Sequence, residues 1–291
     1  MPNLFYKSKK SFVFSENNLL IPNYIVYIMT GLFAVLLILL AWLLMPDFIG
    51  DDWAEVFYPA ACALLEGKDP YAVNQFMIAP WVFPLFIPLS WLPVSLAMAI
   101  LRVLGLFTYS FVAFRMGVKP IGLIAILLSP QIMHNIINCN IDWLAFLGFI
   151  LPPQIGLFLV IIKPQIGCAL MIYWAYDTYQ QKRMVRTFAP FIIVLILSFM
   201  VFGLWPLHFS SVQEAYNASA WPISLPFGIV LLLKALKEKE IRIAQGISPL
   251  FSPHVMFHSW ATMLYALIPN TFELILAVAA SWVLVVISII Y

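Results

Sequence analysis

YIVYIMTGLFAVLLILLAWLLM, residues 24–45, is a run of 22 residues without one charged side chain. At about 1.5 Å of rise per residue, a helix of that length reaches roughly 33 Å, enough to cross a bilayer. It reads as a retained crossing and not a cleavable signal peptide, because it is long and no small-residue cleavage site follows it.

The rest of the chain has the same character. Of 291 residues, 64% are hydrophobic and 10% charged, with 15 Lys+Arg, 13 Asp+Glu and a net charge of +2. A soluble domain carries roughly 25% charged residues. This composition excludes a soluble enzyme, a nucleic-acid binder and a disordered chain. It indicates an all-α, polytopic transmembrane helical bundle of about 9–11 helices, several short or broken. No linker, repeat or low-complexity segment interrupts it, so residues 1–291 read as a single integral-membrane domain. Cys62, Cys139 and Cys168 are widely spaced and form neither a disulfide framework nor a zinc motif.

The few charges set the topology. Residues 1–22 carry Lys7, Lys9 and Lys10 and read as a cytoplasmic N-terminal segment. Residues 46–76 then form the first outer loop. It holds six of the 13 acids (Asp47, Asp51, Asp52, Glu55, Glu66, Asp69) against one base, Lys68. Asp52 to Leu65 suits an amphipathic helix on the outer face, ended by Gly67 and followed by an Asp69-Pro70 turn. The proline-rich stretch 80–93 reads as non-spanning, and 143–162, broken by Pro152-Pro153, as a hairpin of two short helices. The alternative is that each spans singly, which leaves Arg115 and Lys119 outside. Full spans are read at about 94–114, from Lys163 to Tyr179, at 187–205, and at 271–290. A further crossing runs back from the 206–221 loop to the basic cluster at 234–242.

Each residue with chemical potential has two readings. The outer acids are either a solvated loop or a carboxylate placed to take a proton at the water–lipid boundary. Lys163, beside apolar residues at a helix start, is either a snorkelling anchor or a point charge for a phosphate. Asp142, with Asn138 and Asn140, is either a functional intramembrane acid or part of a helix N-cap. Arg102 lies mid-span and needs a partner, an acid or a phosphate, unless it snorkels. His254 and His258, four apart, share a face if their segment is helical. A metal is disfavoured there, since no carboxylate is near in sequence and no HExxH occurs. Asn217-Ala218-Ser219 matches a glycosylation sequon.

Four segments in order carry a resemblance: PAACALLEGKDPY (59–71) after the outer acids, FMIAPWVFPLFIPLSWLP (76–93), NIDWLAFLGFILPPQIGLFLVIIKPQ (140–165) and LFSPHVMFHSW (250–260). Over residues 24–268 the chain resembles glycosyltransferase family 87, among the GT-C membrane transferases that use polyprenyl-phosphate sugars. The resemblance implies a GT-C-like fold and Asp52 as general base, with Asp51 as competitor. It implies Lys163 and Gln165 at the donor phosphate, with Arg102 assigned there too. Asn140, Asp142, His254 and His258 would be substrate-binding. Here the Asn140 region reads NCNID without the family's glutamine, and the chain is shorter than a typical member.

The function so implied is transfer of a hexose, mannose among the candidates, to a lipid or glycan acceptor by a single inverting displacement. The reaction would occur on the outer face of a bacterial plasma membrane and serve the cell envelope. The polyprenyl-phosphate sugar is the donor substrate, no cofactor is singled out, and a divalent metal is compatible. The partners are the bilayer, donor and acceptor, with no nucleic acid. The alternative is a non-catalytic membrane subunit or lipid-binding scaffold that retains the fold.

Overall fold

The computed structural model describes residues 23–45, 50–211 and 217–290. The N-terminal segment 1–22 and Asp47 of the outer loop lie outside them. The chain divides into two units, Met1–Leu37 and Ile38–Tyr291, where the sequence reading has one domain. In its described part the first unit holds only the beginning of α1 (Asn23–Leu44), a lone helix. All that follows concerns the second unit.

The described residues are mostly helical, with no strand. After α1 come a π-helical turn Asp52–Phe57 and α2 (Tyr58–Leu65), which together fill the stretch expected to be amphipathic. One face of that stretch packs inward through Trp53, Val56, Phe57, Ala60 and Ala61, while Asp51 and Glu55 stay exposed. Gly67, at φ 71°, ends it: the Lys68 amide reaches back to the Ala63 carbonyl and the Gly67 amide to Leu64. Asp69 then caps the following turn by accepting from the Tyr71 amide.

Prolines decide where the later helices begin. α3 (Phe83–Ser90), α5 (Pro120–Leu127), α6 (Pro130–Ile137), α8 (Pro153–Val160), α9 (Pro164–Gln180) and α11 (Leu225–Glu238) each carry one in the first turn. There the missing N–H costs nothing and the fixed φ suits a helix start. The remaining helices are α4 (Val94–Arg115), α7 (Asp142–Leu147), α10 (Met184–Phe202), α12 (Ile241–Gly246), α13 (Ala261–Ala266) and α14 (Thr271–Ile290).

The described residues form 14 α-helices where about 9–11 are expected, and several are, as expected, too short to cross alone. In the second unit three helices are long and apolar enough to cross: α4, α10 and α14 from Thr271 to Ser288; α1, with 22 residues, matches the length of α4. A fourth exists if α5 and α6, bent by 54°, count as one. α11 has 14 residues, only about 21 Å, although the sequence suggests a crossing there. α3, at eight residues, is non-spanning as read.

The 143–162 segment is the expected hairpin. A Cβ on Gly148 would stand 3.0 Å from the Gly156 carbonyl, and one on Gly156 would stand 2.8 Å from that of Gly148. α7 and α8 therefore fold back with their backbones nearly touching. α4 packs on α7, α8 on α9 and α10, and α9 on α11 and α12. α10 and α14 present large apolar side chains outward, among them Ile193, Leu197, Met200, Phe272 and Leu284. Faces so apolar and so exposed are those of a membrane protein.

Candidate functional site

Five elements converge on one polar cluster inside the apolar core. The first is the π-helical turn. Trp53 is buried edge-on to Phe86 of α3, with ring centroids 5.8 Å apart, and Phe57 stacks on the same ring at 5.0 Å. These anchors fix the turn and direct the neighbouring Asp52 inward. Its Oδ2 accepts a 2.8 Å hydrogen bond from Asn140 Nδ2. Single π-helical turns are frequent at functional sites.

The second element is the end of α6. Cys139 takes φ 56°, and the Asn140 amide reaches back to the Asn135 carbonyl. This is the cap geometry that glycine ordinarily supplies, here held by a buried cysteine. The bend turns Asn140 toward Asp52. The Asn140 Oδ1 also accepts from the Asp142 amide at 3.2 Å, a turn that leads into the start of α7.

Asp142, at that start, is fully buried. Ser259 Oγ donates to its Oδ2 at 2.9 Å, and His258 Nε2 lies 3.4 Å from the same oxygen. Lys163 Nζ lies 3.5 Å from Oδ1. The lysine is the N-cap of α9. It occupies a tight corner, since a Cβ on Gly167 would meet the Val160 carbonyl at 2.5 Å. On the far side, His258 Nδ1 faces His134 Nδ1 at 3.3 Å, and Asn138 Nδ2 stands 3.2 Å from the His134 ring nitrogens.

Asp142 and His258 lie outside the candidate spans, and burial dominates both. It pushes the Asp142 carboxyl up against the opposing pull of Lys163 and the Ser259 hydroxyl. It pushes the His258 imidazole down to about 3, helped by the nearby Lys163 charge, so this ring is neutral at physiological pH.

Five of the nine residues singled out from sequence, Asp52, Asn140, Asp142, Lys163 and His258, therefore belong to one connected cluster. The others sit apart from it. Asp51 is exposed at the helix start. Gln165, half-buried in the first turn of α9, makes no side-chain hydrogen bond among the described residues. Arg102 donates to the backbone carbonyls of Met45 (2.9 Å) and Ile137 (3.3 Å), bracing the end of α1 against the end of α6.

His254 corrects an expectation. It lies in the non-helical stretch 252–256, and His258 in a 3-10 turn, so the two share no helix face. Pro253 and the hydrogen bond from Ser252 Oγ to the His254 carbonyl (2.6 Å) hold that stretch extended. The sequon asparagine is also engaged. Asn217 donates to the Pro253 carbonyl and accepts from the amides of Ser219 and Val255.

Sequence reasoning misses His134 and Ser259. The signal was present in each case. His134 opens the polar interruption HNIINCNID, and Ser259 follows the one histidine retained as a candidate on that turn. Neither has meaning until α6 and the 257–260 turn pack together. Among the described residues, no group of three or more His, Cys, Asp or Glu could hold a metal ion. No family model, curated protein or solved structure matches the chain.

Proposed function

We propose that the chain is an integral-membrane glycosyltransferase of GT-C type, moving a hexose from a polyprenyl-phosphate donor to a lipid or glycan acceptor on the outer face of the membrane. One observation carries the reading. Asp52, the acid that the resemblance makes the base, is held by Asn140, whose amide oxygen in turn holds the backbone amide of Asp142, the acid paired with Lys163.

In this reading the half-buried Asp52 takes the proton of the acceptor hydroxyl, and Asn140 orients its carboxylate. The acceptor oxygen attacks the anomeric carbon as the carbon–oxygen bond to phosphate breaks. The phosphate leaves with the electron pair, and the configuration inverts. Lys163, at a helix N-terminus and slightly exposed, stabilises the charge gathering on that phosphate. Asp142 is fully enclosed and touches neither substrate; it positions Lys163.

The test is transfer by the purified chain from a polyprenyl-phosphate hexose to a glycolipid acceptor. Asp52→Asn should lower the rate by about 10²–10⁴-fold, the usual worth of general-base catalysis. Asp51→Asn should retain most of it. Full activity in Asp52→Asn would overturn the assignment.

A second reading is a non-catalytic membrane subunit that retains the fold. The observation favouring it is that Lys163 already has a carboxylate partner. Absence of transfer together with a stable complex with another membrane protein would select it.

A further inference from the structure

The contacts on Asp142 are unequal. Only Ser259 makes a close hydrogen bond to it, at 2.9 Å. Lys163 at 3.5 Å and His258 at 3.4 Å are within ion-pair range but are not drawn in. Asp142 is wholly enclosed, whereas the Lys163 side chain keeps 10% of its exposure. The lysine can therefore be reached from outside the cluster while its partner cannot.

Behind Asp142 the two imidazoles form a row. The Nδ1 atoms are 3.3 Å apart, the ring centroids 5.5 Å apart, and the planes differ by 26°. That combination puts the rings edge to edge, nitrogen facing nitrogen, so one must donate and the other accept. Nε2 of His258 faces a carboxylate, which favours the proton there and leaves its Nδ1 bare. His134 Nδ1 then carries the shared proton. His134 is half-buried, so the row runs from an enclosed carboxylate to an accessible ring.

We infer that Asp142, His258 and His134 act as one proton-accepting unit, which takes up a single proton when an anionic phosphate diester draws the Lys163 ammonium away from Asp142. This rests on the proposed role of Lys163 at the donor phosphate. The driving force is the penalty on a buried carboxylate that loses its counter-charge; such a group neutralises instead.

The step balances without redox chemistry. A solvent proton binds His134 Nε2, His134 Nδ1–H passes to His258 Nδ1, and His258 Nε2–H passes to Asp142 Oδ2. Asp142 ends as a neutral acid and both rings as neutral, opposite tautomers. One ion pair, Lys163 with Asp142, is replaced by another, Lys163 with phosphate. The ionisable groups facing Asp142 are Lys163 from α9, His258 from the 3-10 turn and His134 from α6, with Tyr109 of α4 in Coulombic reach and Asp52 linked through Asn140.

The experiment is calorimetric titration of the full chain in detergent with polyprenyl-phosphate hexose, without acceptor, in two buffers of different protonation enthalpy. The donor is a diester, so it brings no proton that titrates near neutrality. The expected result is uptake of about one proton per lipid bound, with affinity falling by up to about tenfold per pH unit as pH rises. The corresponding polyprenol, lacking phosphate, should bring no uptake. In Asp142→Asn the uptake should vanish and the affinity become flat with pH.

Donor binding without proton uptake, or the same uptake with polyprenol, would overturn the inference and leave the donor reading standing. No donor binding by the wild-type chain would overturn the donor reading and the inference with it. The wild-type proton count decides even if the variant fails to fold.

Discussion

At the scale of single residues, the cluster is expensive to keep. An enclosed ion pair seldom stabilises a fold as well as apolar residues of the same size, yet removing one partner costs about 3–5 kcal/mol. Lys163→Met should therefore lower the melting temperature markedly, while Lys163→Met combined with Asp142→Leu should recover most of the loss. The pH dependence has a definite sign. With Lys163 gone, the Asp142 carboxyl is raised further above its unfolded value, so the folded state binds the extra proton and stability falls as pH rises. Lys163→Met should thus be penalised more at about pH 8 than at about pH 6. Thermal unfolding of the single and double variants in detergent checks both statements, and equal losses at the two pH values would contradict the second. Of these residues, Asp142 and Lys163 are conspicuous in the sequence because charge is scarce there. Their pairing is not, since 21 positions and a helical hairpin separate them.

At the scale of elements, breakers matter more than periodicity. The prolines at the starts of α8 and α9 cut one long apolar stretch into pieces that fold back on themselves. Gly148 and Gly156 let those pieces approach. A Cβ on Gly156 would fall 2.7 Å from Trp174 and 2.8 Å from the Gly148 carbonyl, and a backbone atom cannot step aside. Gly156→Ala should therefore destabilise by about 1–3 kcal/mol or more through overpacking. Ile155→Ala, one residue earlier on the same helix but 55% exposed, should change stability by no more than about 0.5 kcal/mol. Melting temperatures of the two variants decide; similar values would refute the close approach. The hairpin is legible in the sequence because Pro152-Pro153 breaks the helix. The closeness of its arms is not, because a glycine in an apolar run looks the same whether its neighbour is lipid or backbone.

At the scale of the whole molecule, the outward faces of α10 and α14 are the argument for a bilayer. Leu197 of α10 is 53% exposed. In water, Leu197→Arg at so open a site would change stability by no more than about 0.5 kcal/mol. Inside a hydrocarbon layer the same change costs about 2.5–3.5 kcal/mol. Loss of membrane-integrated chain in Leu197→Arg, measured after alkaline extraction of membranes, is the expected outcome. Undiminished integration would argue that this face meets protein or water. Composition announces the bilayer before any helix is placed. It does not give the number of crossings, because a short helix such as α3 or α8 is as apolar as a spanning one such as α10.

The sequence by itself determined the helical membrane class, the helix over residues 52–65 and its glycine end, the proline breaks and the short list of costly charges. These are local properties: hydrophobic run length, backbone preference and the scarcity of charge. Only the tertiary structure decided which polar residues meet. Asp52, Asn140, Asp142, Lys163 and His258 come from five separate elements, joined by His134 and Ser259, which no spacing rule selects. The physical reason is that hydrogen bonds and ion pairs act over a few ångströms. Which groups come that close depends on the bend at Cys139, the packing of Trp53 on Phe86 and the folding back of α8, and those are settled only when the whole core closes.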